Sequence, residues 1–131
     1  MGIFSDLFKP KPVDPNLIKP LPFVNNMWDH EWHAIKFKVA GVTFENRQPI
    51  LKQADKNGIK NIFFKKSTFE GEPCIEVYLN DKQIGYVPKK RLSEFLKWCD
   101  KPCSIKYKDI RRGESTYGMT ICVIFQDIKT A

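Results

Sequence analysis

The chain has 131 residues, 42% hydrophobic and 13% aromatic, which is enough for one domain with its own core and too few for two. Its formal net charge is +7; residues 1–34 hold three lysines against four acids, so the basic character belongs to the remainder, and a basic domain attracts polyanions such as nucleic acid. No apolar run reaches the roughly 18 residues of a membrane-spanning helix and the N-terminus does not read as a signal peptide, so the expectation is a cytoplasmic protein without stable membrane insertion, with Cys74, Cys99, Cys103 and Cys122 as reduced thiols.

Residues 1–8 place Ile3, Phe4, Leu7 and Phe8 on one side of a short helix, suited to docking on protein rather than on a membrane because no lysine-rich polar face accompanies them. Pro10, Pro12, Pro15, Pro20 and Pro22 fix backbone angles and remove donors, so residues 9–22 read as an extended polyproline-like linker or strap. Residues 23–33 are rich in aromatics and include Met27-Trp28-Asp29-His30-Glu31-Trp32-His33; such a patch is expected to cover the domain or to meet a protein partner or a second copy of the chain. Together these segments form an N-terminal arm over residues 1–34.

From residue 35 the pattern changes. Ile35, Phe37 and Val39 alternate with Lys36 and Lys38, the two-residue period of a half-buried strand over residues 35–44, and Gly41 inside it predicts a bend or bulge. Asn46 is the expected N-cap of a helix over residues 47–56, stopped by Asn57-Gly58. Strands are predicted over residues 60–65, 74–79 and 83–87, the last two joined as a hairpin through Asn80-Asp81-Lys82. After Pro88, the spacing of Leu92, Phe95, Leu96 and Cys99 gives a second helix one apolar face, with Lys89, Lys90, Arg91, Glu94 and Lys97 mostly outward. Strands over residues 104–110 and 116–125 close the chain, joined by a turn over Arg111-Arg112-Gly113-Glu114-Ser115, with Tyr117, Met119, Ile121, Val123 and Phe125 on one side of the last. Strand, helix, three strands, helix and two strands make a mainly β domain over residues 35–131: a small, partly open OB-like or SH3-like barrel with two short covering helices, preceded by the Pro-rich arm.

Catalysis has little support. No Gly-rich phosphate loop is present, and the two histidines, His30 and His33, lie in the arm, so neither enzymatic activity nor a cofactor is expected. His30 and His33 with Cys99 and Cys103 have the donor types of a zinc site, yet the His spacing is shorter than the usual roughly three to five and Pro102 stiffens the Cys pair, so no metal is expected either.

Two separated motifs narrow the reading further. Phe37-Lys-Val-Ala-Gly-Val-Thr-Phe-Glu-Asn-Arg-Gln48 and, later, Gln83-Ile-Gly-Tyr-Val-Pro88 together resemble a HIRAN domain, over roughly residues 35–125. HIRAN domains are small β-barrels found at the front of some helicase-like chromatin remodellers and as free-standing bacterial and phage proteins, and the resemblance implies recognition of single-stranded DNA ends. Carried over to this chain, the family's end-binding pocket places Phe44 as the aromatic of the first strand, Thr43 where remodeller members carry a basic residue, Tyr86 after the Ile-Gly pair, and Tyr117 as the ring that closes the pocket from the last strand. One family element departs: where members carry a loop reading Asn-Pro-Tyr-Asp-x-Asn-Ala-Ile, this chain reads Thr68-Phe-Glu-Gly-Glu-Pro-Cys-Ile75, and the family's Tyr-Asp pair falls on Glu70-Gly71.

The expected function is therefore a nucleic-acid-binding module for single strands or 3′ ends, with Phe44, Tyr86 and Tyr117 for bases and Lys89, Lys90, Arg111 and Arg112 for phosphates, since bases stack on aromatic faces while Lys and Arg hold the backbone. By period alone Phe44 and Tyr117 fit barrel core better than a binding site, and a protein-interaction or oligomerisation module built on the barrel or the arm is the alternative.

Overall fold

A computed structural model of the protein describes residues 14–22, 32–44 and 46–126. The amphipathic segment over residues 1–8 and most of the aromatic patch, Trp28 and His30 included, lie outside them.

Among the described residues, seven strands and two helices follow one another as β1 (Leu17–Ile18), β2 (Trp32–Lys38), α1 (Arg47–Asn57), β3 (Ile62–Phe69), β4 (Glu72–Leu79), β5 (Lys82–Tyr86), α2 (Lys89–Trp98), β6 (Cys103–Arg112) and β7 (Tyr117–Gln126). They form two antiparallel sheets, one ordered β1-β3-β4-β5 and the other β2-β7-β6. The fold is mainly β, and no closed barrel is formed among the described residues. The sheets meet instead at single bridges: Ala40, just after β2, pairs with Tyr86 of β5, while Leu21, just after β1, pairs with Ser104 of β6. Ser104 is fully buried, and its hydroxyl donates to the Leu21 carbonyl at 2.8 Å. The Pro-rich arm is thus a strap over residues 17–21, part of it strand rather than polyproline helix, running from the edge of one sheet to the edge of the other. β2 begins at Trp32, so the boundary expected at residue 35 falls inside a strand.

Several other expectations are corrected. The first strand ends at Lys38 rather than at residue 44, because the chain turns at Gly41, whose φ is +79°. Asn46 precedes α1 without capping it through its side chain. The supposed loop over residues 68–74 is a tight hairpin, since β3 runs to Phe69 and β4 starts at Glu72. Glu70 and Gly71 both take positive φ, as do Asn80 and Asp81 between β4 and β5, which is the backbone a two-residue hairpin turn needs. Arg111 and Arg112 are the last residues of β6 rather than part of a turn.

The core lies between the sheets and under the helices. Phe95 of α2 is fully buried and meets Phe64 of β3 at 5.1 Å, Phe125 of β7 at 5.3 Å and Phe37 of β2 at 6.0 Å between ring centroids, all edge-on, so one helix residue binds both sheets. Leu51 and Ala54 bury the inner side of α1. Met119, Ile121, Val123 and Phe125 of β7 are buried as their alternation predicts.

A polar contact ties α2 to β2. His33 Nε2 donates to Glu94 Oε2 at 2.6 Å, and the His33 ring stacks on Trp98 with 4.5 Å between centroids. The His33 hydrogen bond, aided by Arg91 at 3.1 Å, holds the Glu94 carboxyl below its ordinary range against the opposing pull of burial. A carboxylate depressed in the folded state stabilises above its unfolded value, about 4.3, and that contribution is lost as pH falls through the folded value. Glu94→Gln is therefore expected to lower the melting temperature by a few degrees at neutral pH, a cost of about 1 kcal/mol for so open a pair, and to melt like the parent near pH 3 in calorimetry at both pH values.

Candidate nucleic-acid interface

The two sequence motifs converge at the seam between the sheets. Ala40 N–H donates to the Tyr86 carbonyl at 2.8 Å and Tyr86 N–H returns to the Ala40 carbonyl at 2.9 Å, so the early part of the first motif and the middle of the second form one short ladder. This contact explains the glycine before Tyr86: a Cβ at Gly85 would stand 2.1 Å from the Ala40 carbonyl oxygen. On the other side of the bridge the chain turns through Gly41 to Phe44, closed by Phe44 N–H donating to the Gly41 carbonyl at 3.2 Å.

Arg47 and Gln48, the first residues of α1, fix that turn. The Arg47 side chain is 6% exposed; its Nη1 donates to the Gly41 carbonyl at 2.8 Å and its guanidinium lies 5.3 Å from the centroid of Tyr86. A buried guanidinium needs such partners, and Gly41 makes the approach possible, because a Cβ there would sit 2.9 Å from Nη1. Gln48 reaches across to β7: Nε2 donates to the Val42 carbonyl at 2.9 Å and the Tyr117 carbonyl at 3.0 Å, and Oε1 accepts from Tyr117 N–H at 2.6 Å. One turn of helix thereby joins the Gly41 turn, Tyr86 and the start of β7.

Phe44 is 66% exposed, which removes the barrel-core alternative for this residue. Its ring flanks Gly41 together with that of Tyr86, since a Cβ at Gly41 would lie 3.5 Å from Phe44 Cδ2 and 3.7 Å from Tyr86 Cδ2. Phe69, 57% exposed at the end of β3, comes within 5.9 Å of the Tyr86 ring between centroids. Two rings largely open to solvent, Phe44 and Phe69, thus lie on either side of Tyr86, whose own ring meets the buried Arg47.

The other expected site residues are more scattered. Thr43 is exposed in the Gly41 turn. Tyr117 is half-buried and packs against the core, and its backbone rather than its ring meets the turn, through Gln48. Lys89 and Lys90 are exposed in the first turn of α2, just after Tyr86-Val87-Pro88, with no acid in that turn. Arg111 pairs with Asp109 at 3.1 Å, and Arg112 reaches Asp55 of α1 at 3.4 Å. Arg47, Gln48 and Phe69 were not anticipated as site residues, although the first two end the first motif and the third lies in the altered segment.

Of the other candidate chemistry, His30 lies outside the described residues. Burial is the leading cause that raises all four thiols, Cys103 to about 12, the reverse of what activates a nucleophile or a thiolate ligand. His33 is engaged by Glu94 and Trp98, and among the described residues no group of three or more His, Cys, Asp or Glu gathers as a metal site. No helix among them is long and apolar enough to cross a membrane. No family model matches the chain, and neither the curated proteins nor the solved structures contain a match to it.

Proposed function

We propose that this chain is a HIRAN-type module, a small and partly open OB-like or SH3-like barrel that binds single-stranded nucleic acid or a DNA 3′ end and has no catalysis of its own. The observation that carries the reading is the meeting of the two motifs at the Ala40–Tyr86 bridge, where Tyr86 lies over Arg47 and the exposed rings of Phe44 and Phe69 stand beside it. Bases stack on such rings for about 1–3 kcal/mol each whatever their sequence, and lysines hold the phosphates. Lys89 and Lys90, which follow Tyr86-Val87-Pro88 at the start of α2, are the cations proposed for that role. The family's Tyr-Asp pair is replaced by Glu70-Gly71, but Phe69, one position earlier, supplies an aromatic ring at the Tyr86 side of the cluster.

Fluorescence anisotropy with labelled strands ending in a 3′-hydroxyl or a 3′-phosphate, beside a blunt duplex and at two salt concentrations, tests the reading. Tighter binding of the free hydroxyl supports end recognition; salt-sensitive binding without end preference supports a general strand binder. No binding at low salt would remove the proposal. The alternative, a protein-contact module, draws on the same exposed Phe44 and Phe69. It predicts a dimer or complex, seen by light scattering, that Phe44→Ala with Phe69→Ala dissociates.

A further inference from the structure

The outward side of the β2-β7-β6 sheet carries a second set of rings and cations that the seam cluster does not use. Along β2, Ile35 and Phe37 point into the core, so Trp32, Lys36 and Lys38 point away from it. Lys36 stands opposite Cys122 of β7, and Cys122 stands opposite Tyr107 of β6, which puts Lys36 and Tyr107 in one cross-strand row. A register shift between Ile105 and Tyr107 leaves Lys106 as the extra residue on β6. Lys106 Nζ lies 4.5 Å from the Trp32 ring centroid and Lys36 Nζ 5.5 Å from that of Tyr107. Trp32 is 42% exposed and Tyr107 40%, so both rings keep open surface on the side of the sheet away from the core.

Among the described residues, the charge on this face is one-sided. Lys36, Lys38, Lys106 and Arg111 are basic, and the acid among them, Asp109, is already paired with Arg111. The face also leads to the seam. Lys38 ends β2 two residues before the Ala40–Tyr86 bridge, and its stem lies over Gly118, where a Cβ would stand 3.4 Å from Lys38 Cε. Trp32 to Lys38 spans about 20 Å at the rise of a strand.

We infer that this sheet face is a platform for the body of a single-stranded nucleic acid: Trp32 and Tyr107 stack bases, and Lys36, Lys106 and Lys38 hold the phosphates of a strand that reaches the Phe44–Tyr86 cluster. The occupant follows from charge and chemistry together. A row of lysines against apolar rings suits a polyanion whose bases have flat faces, whereas an apolar protein surface would have to strip water from every ammonium. The two lysines over the rings are placed to move from ring to phosphate without a change in the backbone. The inference rests on the nucleic-acid reading above and adds residues and a direction to it.

The test compares a long thymidine strand, about twenty nucleotides, with a short one of about four, near the lower limit of a single site. Trp32→Ala with Tyr107→Ala is expected to weaken the long strand about tenfold and the short one hardly at all, with the melting temperature unchanged. Lys36→Gln with Lys106→Gln keeps the rings and is expected to reduce the slope of log affinity against log salt by about 1.4, at roughly 0.7 per phosphate contact on a single strand. Phe44→Ala should weaken both strands. If both platform variants bound the long strand as the parent does while Phe44→Ala did not, the platform would be overturned and the seam cluster would stand alone. If the parent bound neither strand, both readings would fall together. If the platform variants only separated a complex of two chains, the face would be a protein contact and the inference would be wrong.

Discussion

Gly85→Ala should be the most damaging single-methyl change in the protein, lowering the melting temperature by about 10 °C or more, or preventing folding at 37 °C. The added Cβ would lie 2.1 Å from the Ala40 carbonyl oxygen and 3.2 Å from the carbon that bears it, and both are backbone atoms that no rotamer change can move. Relief requires the seam to open, which breaks both hydrogen bonds between Ala40 and Tyr86 and pulls the Gly41 turn from the Arg47 guanidinium. Overpacking and the loss of these bonds together cost about 3 kcal/mol or more. Gly118→Ala is the control, because its Cβ would meet only the far end of the Lys38 side chain at 3.4 Å, and it should be near neutral. Calorimetry and gel filtration of the two variants check this; equal melting of both would mean that the sheets do not meet as closely at Gly85 as described.

Phe44→Ala should lose binding and keep the fold. With 66% of the residue exposed, truncation removes little packing, so melting should move by about 1 °C at most. A base stacked on the ring contributes about 1–3 kcal/mol, so single-strand affinity should fall by roughly 5- to 150-fold. Tyr117→Ala should show the opposite balance, because that ring packs against the core. Anisotropy and calorimetry on the same two preparations separate the cases. A Phe44→Ala protein that binds as the parent does would remove this ring from the site.

The elements legible in the sequence were those where one local signal acts alone. The three- and four-residue spacing of Leu92, Phe95, Leu96 and Cys99 marks α2, and the alternation from Met119 to Phe125 marks β7, because each writes a single buried face into consecutive residues. Asn80-Asp81 was readable as a turn, while Glu70-Gly71 was not: Glu rarely takes positive φ, and here pairing along the whole length of β3 and β4 imposes it. The strand within the strap escaped for a related reason, since the prolines around Leu17 and Ile18 hide a pairing with β3 that no local signal announces. At the site, the motifs named Phe44 and Tyr86 but not the side chains that hold them. Arg47 reads as an ordinary exposed helix cation until the fold places the Gly41 carbonyl and the Tyr86 ring beside it, and Phe69 acquires a role only through the hairpin register. Arg111 and Arg112 are adjacent in sequence, yet alternation on β6 sends one beside Asp109 and the other toward Asp55, so a strand splits what a turn would have kept together.

The Ala40–Tyr86 bridge divides the aromatic cluster between two mechanical units. Phe44 belongs to the chain leaving one sheet, Tyr86 and Phe69 to the other, and a single pair of hydrogen bonds with one arginine spans the gap. Any occupant that rests on rings from both sides is therefore a cross-link. By reciprocity of linked equilibria, it must disfavour the parting of the sheets by the same free energy that parting would subtract from its affinity, so hydrogen exchange at the Ala40 and Tyr86 amides becomes a measure of occupancy.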